Sequence, residues 1–192
     1  MPRTREQFSE MKDERRASIL NAALPLFALS EKVSIDAICE KAKCSHGIVY
    51  HYFRNTDQIY EKLMQSSTYV ELRQKLFFFE GGSSYEKIEQ IISVLLNVSQ
   101  KDINTVSYLN IIIKEKGKNS LHVLLEKLIR EGQMAGSIIG GEPAEIVDSI
   151  FLLLKGTYLT FLLEKHPDIK VPSLETVMQL LRKPTNFGRQ TL

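Results

Sequence analysis

The chain of 192 residues lacks the common sequence signatures of an enzyme or a metal protein. It contains no Gly-x-Ser-x-Gly, no P-loop, no dinucleotide fingerprint and no His-Glu-x-x-His. Its cysteines, Cys39 and Cys44, are five residues apart, which excludes a Cys-x-x-Cys pair and a zinc-ligand set. The four histidines have no metal-ligand spacing either. We therefore predict no catalytic site and no cofactor, and we interpret the cysteines as reduced structural thiols, with redox sensing as the alternative.

Long hydrophobic runs and a strong net charge are also missing. The longest uninterrupted apolar run covers residues 150–154 and is too short to span a bilayer. The first ten residues lack the apolar segment of a secretory signal, so we expect a cytoplasmic protein with no membrane partner. The formal net charge is only +2, so any argument for nucleic acid must rest on where particular side chains lie.

Residues 34–53 predict two short helices with a turn between them. Ser34 is placed to cap the first helix, where apolar residues follow at helical spacing, and Ser45 is placed to cap the second. Val49 and Phe53 are four residues apart, which predicts the buried stripe of the second helix. The pattern therefore predicts a helix-turn-helix.

The other face of the second helix carries hydrogen-bonding and aromatic side chains in place of an ordinary mixture of Glu and Lys. These are His46, Tyr50 and His51, with Gly47 among them. A glycine inside a helix costs roughly 1 kcal/mol relative to alanine. Gly47 therefore indicates close approach of the backbone to another surface, with a tolerated weak position as the alternative. Such a helix suits insertion into the DNA major groove.

Residues 15–64 resemble the N-terminal domain of the TetR/AcrR family of transcriptional regulators. The specific part is the pattern Gly-x-x-Tyr-x-Tyr-Phe at residues 47–53, and the apolar spacing before it also fits. The resemblance implies an all-α fold with a helix-turn-helix DNA-binding domain over residues 1–56. A larger helical domain for effector binding and dimerisation would then cover residues 57–192.

Two departures from the family pattern affect the DNA-binding region. Lys43 stands where the family has a turn glycine, which predicts a modest left-handed strain. Thr56 replaces a lysine that commonly binds phosphate, leaving Arg54 as the nearest cation. The residues expected at DNA are Ser34, Lys43, Ser45, His46, Gly47, Ile48, Tyr50, His51, Tyr52, Arg54 and Thr56.

Helical spacing of apolar residues covers most of the remaining chain. We predict a first helix over 12–29, disturbed at Pro25, and one long helix over 56–76 that joins the DNA-reading domain to the rest. Residues 77–79 are three phenylalanines, which indicate either burial on several sides or the end of that helix. Beyond the glycine pair at 81–82 the predicted helices cover 85–98, 103–114, 121–131, 143–163 and 174–181.

The segment 143–163 is apolar around most of its circumference, so it must bury two faces. The second face would pack either on a second copy of the chain or inside one large core. The resemblance favours the dimer, because members of the family pair through their last two long helices. The residues expected in the interface are Ile150, Leu152, Leu153, Gly156, Leu159, Leu163, Val177 and Leu181.

The hypothesis is therefore a homodimeric repressor that binds a palindromic double-stranded DNA operator and is released by a small-molecule effector. The alternatives are a helical module that binds protein or small molecules without DNA, and an unrecognised all-α enzyme. Ionised Lys155 in a pocket would indicate an anionic effector, and a wholly apolar pocket a lipophilic one. The residues expected at the effector are Tyr108, Asn110, His122, Phe151, Lys155 and Tyr158.

Overall fold

The computed structural model describes residues 5–97, 102–164 and 171–182. These ranges are helical, with turns and connections but no strand, which confirms the predicted all-α class. The helices in chain order are α1 (Arg5–Leu29), α2 (Ile35–Ala42), α3 (His46–Tyr52), α4 (Thr56–Met64), α5 (Ser67–Phe77), α6 (Ser84–Leu96), α7 (Ile103–Lys114), α8 (Leu121–Met134), α9 (Pro143–Glu164) and α10 (Leu174–Gln179).

Helices α1 to α3 form the predicted helix-turn-helix region. The Ser34 hydroxyl accepts a hydrogen bond from the Ala37 N–H at 3.1 Å, which satisfies one free donor at the start of α2. Helix α1 begins at Arg5, seven residues earlier than predicted, and continues through Pro25 without ending. The apolar residues that hold the three helices together are Ile19, Ala23, Ile38, Val49 and Phe53, all buried.

Helix α7 lies at the centre of the fold. Its residues 106–113 are buried without interruption, and α1, α5, α8 and α9 pack around it. The apolar core is continuous from α1 to α10 across the described residues. The boundary between domains after residue 56 therefore stays a prediction, because α1 packs directly on the centre of the larger helical part.

The single long helix predicted over 56–76 is wrong. The chain forms α4 and α5 there, with Gln65 ending α4 and Ser66 in an extended conformation (φ −66°, ψ 149°). The Ser66 hydroxyl accepts a hydrogen bond from the Tyr69 N–H at 3.2 Å and so caps α5. A serine that bonds to nearby backbone groups offers an alternative to the continuous helix, and apolar spacing does not reveal it.

The three phenylalanines at residues 77–79 mark the end of α5. The alternative, a continuing helix buried on several sides, is wrong. Phe77 is the last residue of α5, and Phe78 is 73% exposed. Gly81 and Gly82 follow with φ of 132° and 89°, values that side chains with a Cβ rarely adopt. The chain therefore turns here before Ser83 caps α6.

Helix α9 is long and apolar enough over 143–163 to pass a membrane-span test by length and composition. The longest uninterrupted apolar run does not reveal this, because Ser149 and Lys155 bound that run within the segment. A core helix of a soluble protein passes the same test, and a third of this segment is buried within the chain. Its buried residues, among them Phe151 and Tyr158, pack in the core around α7 and α8.

Helix α8 extends beyond its predicted end at residue 131, so Gly132 lies inside the helix. A Cβ atom at this position would lie 2.3 Å from Cδ1 and 2.8 Å from Cγ1 of Ile138, which is itself fully buried. We expect Gly132→Ala to lower the free energy of unfolding by about 1–3 kcal/mol through overpacking, more than the helix propensity of alanine recovers. Urea denaturation followed by circular dichroism measures the change.

Ile138→Val provides the matched control, because it removes the Cδ1 methyl group that is the closest atom. The double variant should lose less stability than the sum of the two single variants. Strictly additive losses would show that the glycine is not required by contact with Ile138.

Candidate functional site

Helix α3 divides into a buried and an exposed face as the sequence predicts. Val49 and Phe53 are 0% and 1% exposed, so they fix the helix on the core. Tyr50 is 55% exposed, and His46, Gly47 and His51 are also exposed. We call these four residues the reading face. Among the described residues, an added Cβ at Gly47 would meet only the Ser45 hydroxyl, at 3.9 Å, so no contact there requires this glycine.

Two contacts orient side chains of the reading face. His46 Nε2 is hydrogen-bonded to Asp36 Oδ1, which joins the start of α3 to the start of α2. The His51 and Tyr52 rings meet edge to face with centroids 5.0 Å apart. The contact with Asp36 was not predicted from the sequence, because the two residues are ten positions apart and meet only through the turn.

Two cations of α1 lie beside this face. Lys12 and Arg15, together with Gly47, His51 and Tyr52, line a cleft of about 670 Å³. Ile48 also lines it and is half-buried. Sequence reasoning missed both cations, since the surrounding charges are balanced along the chain and only packing of α1 on the motif brings them to α3.

The turn between α2 and α3 has the left-handed geometry expected at Lys43, with φ 50° and ψ 51°. Cys39 and Cys44, on either side of it, are free thiols, and the Cys44 N–H donates to the Cys39 carbonyl at 3.0 Å. Burial, followed by the neighbouring Cys44, raises the pKa of the Cys39 thiol. A raised thiol pKa lowers reactivity, which agrees with a structural role.

The remaining DNA-binding candidates lie around the end of α3. Ser45 holds the N-cap position of α3, but the predicted side-chain cap is wrong, because its hydroxyl makes no capping hydrogen bond. Arg54 is exposed, and its N–H donates to Gln58 Oε1 at 2.7 Å. Asn55 caps α4 through Oδ1, which accepts from the Gln58 N–H at 2.9 Å. Thr56 is the first residue of α4 and is half-buried.

A cleft of about 600 Å³ lies between the end of α1, the end of α7, the start of α8 and one face of α9. We call it the Asn110 cleft. Its size falls within the range of pockets for small molecules. It brings together Asn110, His122, Phe151 and Lys155, which the sequence analysis proposed for the effector.

The other two effector candidates do not line this cleft. Tyr158 is fully buried, its hydroxyl donates to the Leu95 carbonyl at 2.6 Å, and burial raises the pKa of that hydroxyl. Tyr108 is also buried and packs beside Tyr69 with ring centroids 5.9 Å apart. Both tyrosines are therefore core residues of the helical bundle, and helical spacing alone could not separate core from pocket lining.

The inner wall of the Asn110 cleft is joined to the last turn of α1. Asn110 Nδ2 and Lys114 Nζ both donate to the Ala28 carbonyl, each at 3.0 Å. The final carbonyls of a helix have no partner within the helix, so side-chain donors are expected there. We call this contact the Ala28 joint. Asn110 Oδ1 is buried without a hydrogen-bond partner among the described residues, which costs about 1–3 kcal/mol.

Most charged groups at this cleft already have partners. His122 lies between Glu126 and Asp148, with nitrogen–oxygen distances of 2.7 Å and 3.0 Å. Glu115 accepts from the Tyr69 hydroxyl at 2.6 Å and pairs with Arg73. Burial raises the pKa of Tyr69, and its hydrogen bond to Glu115 adds to the rise. Sequence reasoning missed the pairs of His122 with Asp148 and of Glu115 with Tyr69 and Arg73, because those partners come from distant segments.

The dimerisation candidates separate into two groups. Ile150, Val177 and Leu181 are buried within the chain, so their predicted place at a dimer interface is wrong, and Leu153 is half-buried. Their apolar spacing reflects packing in the chain's own core. An exposed stripe remains on α9, made of Leu152, Gly156, Leu159 and Leu163, with Leu152 73% exposed. Leu180, after α10, is exposed as well and was not predicted.

Residues 19–63 match the family model described as bacterial regulatory proteins, tetR family. The comparison with curated proteins found no match. Solved structures share the fold at low identity, and in the three described next the overlap covers most of each chain.

The first is NalD of Pseudomonas aeruginosa, with TM-score 0.53, 17% identity, and coverage of 90% of this chain and 99% of that one. MbdR of Azoarcus sp. CIB has TM-score 0.59 and 16% identity, covering 86% and 96%. FadR of Bacillus halodurans has TM-score 0.55 and 17% identity, covering 90% and 96%. These likenesses extend over the larger helical part as well as the helix-turn-helix.

The left-handed conformation at Lys43 allows a test of backbone strain in the turn between α2 and α3. Glycine adopts this conformation without the steric cost of a Cβ atom, which is roughly 1–2 kcal/mol. We expect Lys43→Gly to raise the free energy of unfolding by up to about 1 kcal/mol, since glycine also gains entropy when unfolded. Lys43→Ala is the control for loss of the charged side chain. A gain in the alanine variant equal to that in the glycine variant would exclude backbone strain as the cause.

Proposed function

The N-terminal domain of this chain belongs to the TetR family of bacterial regulatory proteins, and from this premise we propose that the chain is a homodimeric, cytoplasmic transcriptional repressor. It binds a palindromic operator in double-stranded DNA and releases it when a small molecule occupies the Asn110 cleft. The observation that carries the proposal is the reading face of α3, exposed and polar on a helix fixed by buried Val49 and Phe53.

Recognition of DNA uses two copies of α3. In a dimer they enter successive major grooves with centres about 34–36 Å apart, which requires two-fold symmetry in the operator. Ser45 and the three reading-face residues other than Gly47 contact base edges. Tyr52, Arg54 and Thr56, together with Lys12 and Arg15 of α1, contact phosphates and set the register.

Dimerisation uses the exposed stripe of α9. Leu152, Leu159 and Leu163 lie on one side of the helix with Gly156 between them. No atom of the described residues lies within 4 Å of a Cβ added at Gly156, so a second helix can approach closely there. Exposed Leu180 after α10 extends the apolar area. A contiguous apolar patch on a soluble protein indicates an interaction site.

Release of DNA requires a ligand with different affinities for two conformations of the protein. The Ala28 joint supports a route for this coupling, because it connects the wall of the Asn110 cleft to the helix that carries the DNA-binding domain. Coupling through a single long helix over residues 56–76 has less support, since that segment is divided into two helices at residues 65–66. By linkage, DNA must weaken the ligand by the same factor.

The structural neighbours support the class of regulator. NalD is described as the secondary repressor of a multidrug efflux pump, and FadR as a fatty acid degradation regulator. SmeT of Stenotrophomonas maltophilia is a repressor of a multidrug efflux pump and has been solved with triclosan. Their identities with this chain are below 20%, so their pumps, pathways and ligands are not transferred to it.

Two other functions make different predictions. A helical module that binds only protein or small molecules would select no DNA sequence. An all-α enzyme would turn over a substrate, and a change of a histidine or carboxylate such as His122 or Asp148 would abolish that turnover. When bound sequences are selected from a pool of random duplexes, a repressor enriches a palindromic sequence and the helical module does not. The selection therefore distinguishes these two functions.

Tyr50 tests the reading face directly. Its side chain is 55% exposed, so Tyr50→Ala should leave the fold intact. We expect the variant to lose more than about 1 kcal/mol of binding free energy for the selected operator, since one specific contact is removed. Fluorescence anisotropy with labelled duplex measures the affinity, and circular dichroism verifies the fold.

Phe78→Ala is the matched control, an exposed aromatic residue outside the DNA-binding region. It should bind the operator as tightly as the unchanged protein. Equal operator affinity of the Tyr50→Ala variant and the control would show that α3 is not the helix that reads the operator.

The exposed stripe is tested with Leu152→Glu combined with Leu163→Glu. Two carboxylates in a small apolar interface would be desolvated without partners, so we expect the dimer dissociation constant to rise by at least about a hundredfold. Sedimentation velocity measures the change, and operator binding should weaken with it. Val70→Glu, at another exposed apolar position, should leave the association unchanged. A double variant that remains dimeric would place the interface elsewhere.

A further inference from the structure

We propose that the Asn110 cleft binds an amphipathic organic anion, a molecule with an apolar body and one negatively charged group held by Lys155. The inference rests on the proposed function, in which this cleft receives the effector, and it adds the chemical class of that molecule. Three observations carry it: the charges left without partners, the apolar lining, and the contrast with the neighbouring cleft.

The first observation is the balance of charges at the cleft. Asp148 is hydrogen-bonded to His122 and its side chain is 73% exposed, so water weakens the effect of its charge. Glu115 is held by Tyr69 and Arg73. Lys114 is bonded to the Ala28 carbonyl. Lys155 is half-buried in the lining, and no hydrogen bond or ion pair to it occurs among the described residues. Its ammonium group is therefore available to an anion.

The two remaining lining charges are at exposed residues. Lys116 and Glu31 are both solvent-exposed, so water weakens their effect on a bound molecule more than it weakens that of half-buried Lys155. Asn110 Oδ1 is a buried acceptor without a partner in the part of the chain that the structure describes, and an anionic group would be repelled by it. Both facts favour the Lys155 side of the cleft for the charged end of the ligand.

The second observation is the apolar lining. Leu29, Ile113 and Phe151 contribute buried or half-buried surface, and Val123 and Leu159 line the cleft from exposed positions. The volume of about 600 Å³ accommodates a body of two or more rings or an equivalent chain. A small inorganic anion would leave this apolar surface uncovered.

The third observation is the neighbouring cleft of about 490 Å³ between α1, α4 and α7. It shares Glu31, Lys114 and Glu115 with the Asn110 cleft but adds Asp57 and Glu61. Lys114 is the single basic side chain in its lining. An anion is therefore disfavoured there, and the Asn110 cleft is the one of the two that fits the proposed ligand.

The experiment compares two fluorescent probes on the full-length protein. The anion 8-anilinonaphthalene-1-sulfonate has an apolar body of the required size, and N-phenyl-1-naphthylamine is nearly the same molecule without the sulfonate. We expect one sulfonate probe per chain in the Asn110 cleft, counted as the binding that Val123→Trp removes, because the cleft with Lys12 and Arg15 beside α3 also offers cations and apolar surface to this probe. Lys155→Met should weaken that probe by about tenfold, as for loss of one partly desolvated charge contact, and change the neutral probe by less than about twofold.

Two further variants locate the site and control for general charge effects. Val123→Trp places a large side chain at the exposed rim of the cleft and should abolish binding of the sulfonate probe. Lys127→Met removes an exposed lysine of α8 outside the cleft and should leave both probes unchanged. Circular dichroism and the sedimentation coefficient establish that the variants remain folded and associated.

Equal affinity of the sulfonate probe for the Lys155→Met variant and the unchanged protein would overturn the proposal, as would undiminished binding to Val123→Trp. Operator binding, measured without either probe, keeps the two ideas apart. If the operator is bound but Lys155 does not matter, the ligand class is wrong and the repressor stands. If no operator is bound while the probe depends on Lys155, the ligand class stands and the repressor is wrong.

Discussion

The carbonyl of Ala28 is the point on which the arrangement of this molecule depends. It lies in the last turn of α1, and its two side-chain donors, Asn110 and Lys114, come from the most deeply buried helix of the fold. Helix α1 also supplies Ile19 and Ala23 to the core under the reading helix. Helix α1 therefore contacts both the core beneath the exposed face of α3 and the wall of the Asn110 cleft.

The strength of this joint matches what regulation requires. Coupling between two sites is typically worth 1–3 kcal/mol. A hydrogen bond to a charged group contributes about 1.5–3 kcal/mol, and one between neutral groups about 0.5–1.5 kcal/mol. A ligand that alters the contacts of Asn110 or Lys114 with Ala28 thus acts on an interaction of the right magnitude.

Local pattern predicted much of this structure, and the failures have a common cause. The faces of α3 and the bounds of α7 follow from spacing within one helix. The break at Ser66 was missed because a side-chain cap competed with an apolar pattern that continues across it. Val177 was assigned to a dimer because spacing shows that a face is apolar but not which body covers it. Lys12 reaches the reading face only by tertiary packing.

The two faces of α9 connect dimerisation with ligand binding. Phe151 and Lys155 face the Asn110 cleft, Leu152 and Leu163 belong to the exposed stripe, and Leu159 belongs to both. A ligand that packs against Leu159 therefore contacts a residue that the partner subunit would also cover. Rotation of α9 by a fraction of a turn would change both surfaces together, since a rigid helix cannot move one face alone. In the proposed repressor, ligand binding in the cleft and the angle between subunits are therefore coupled through α9.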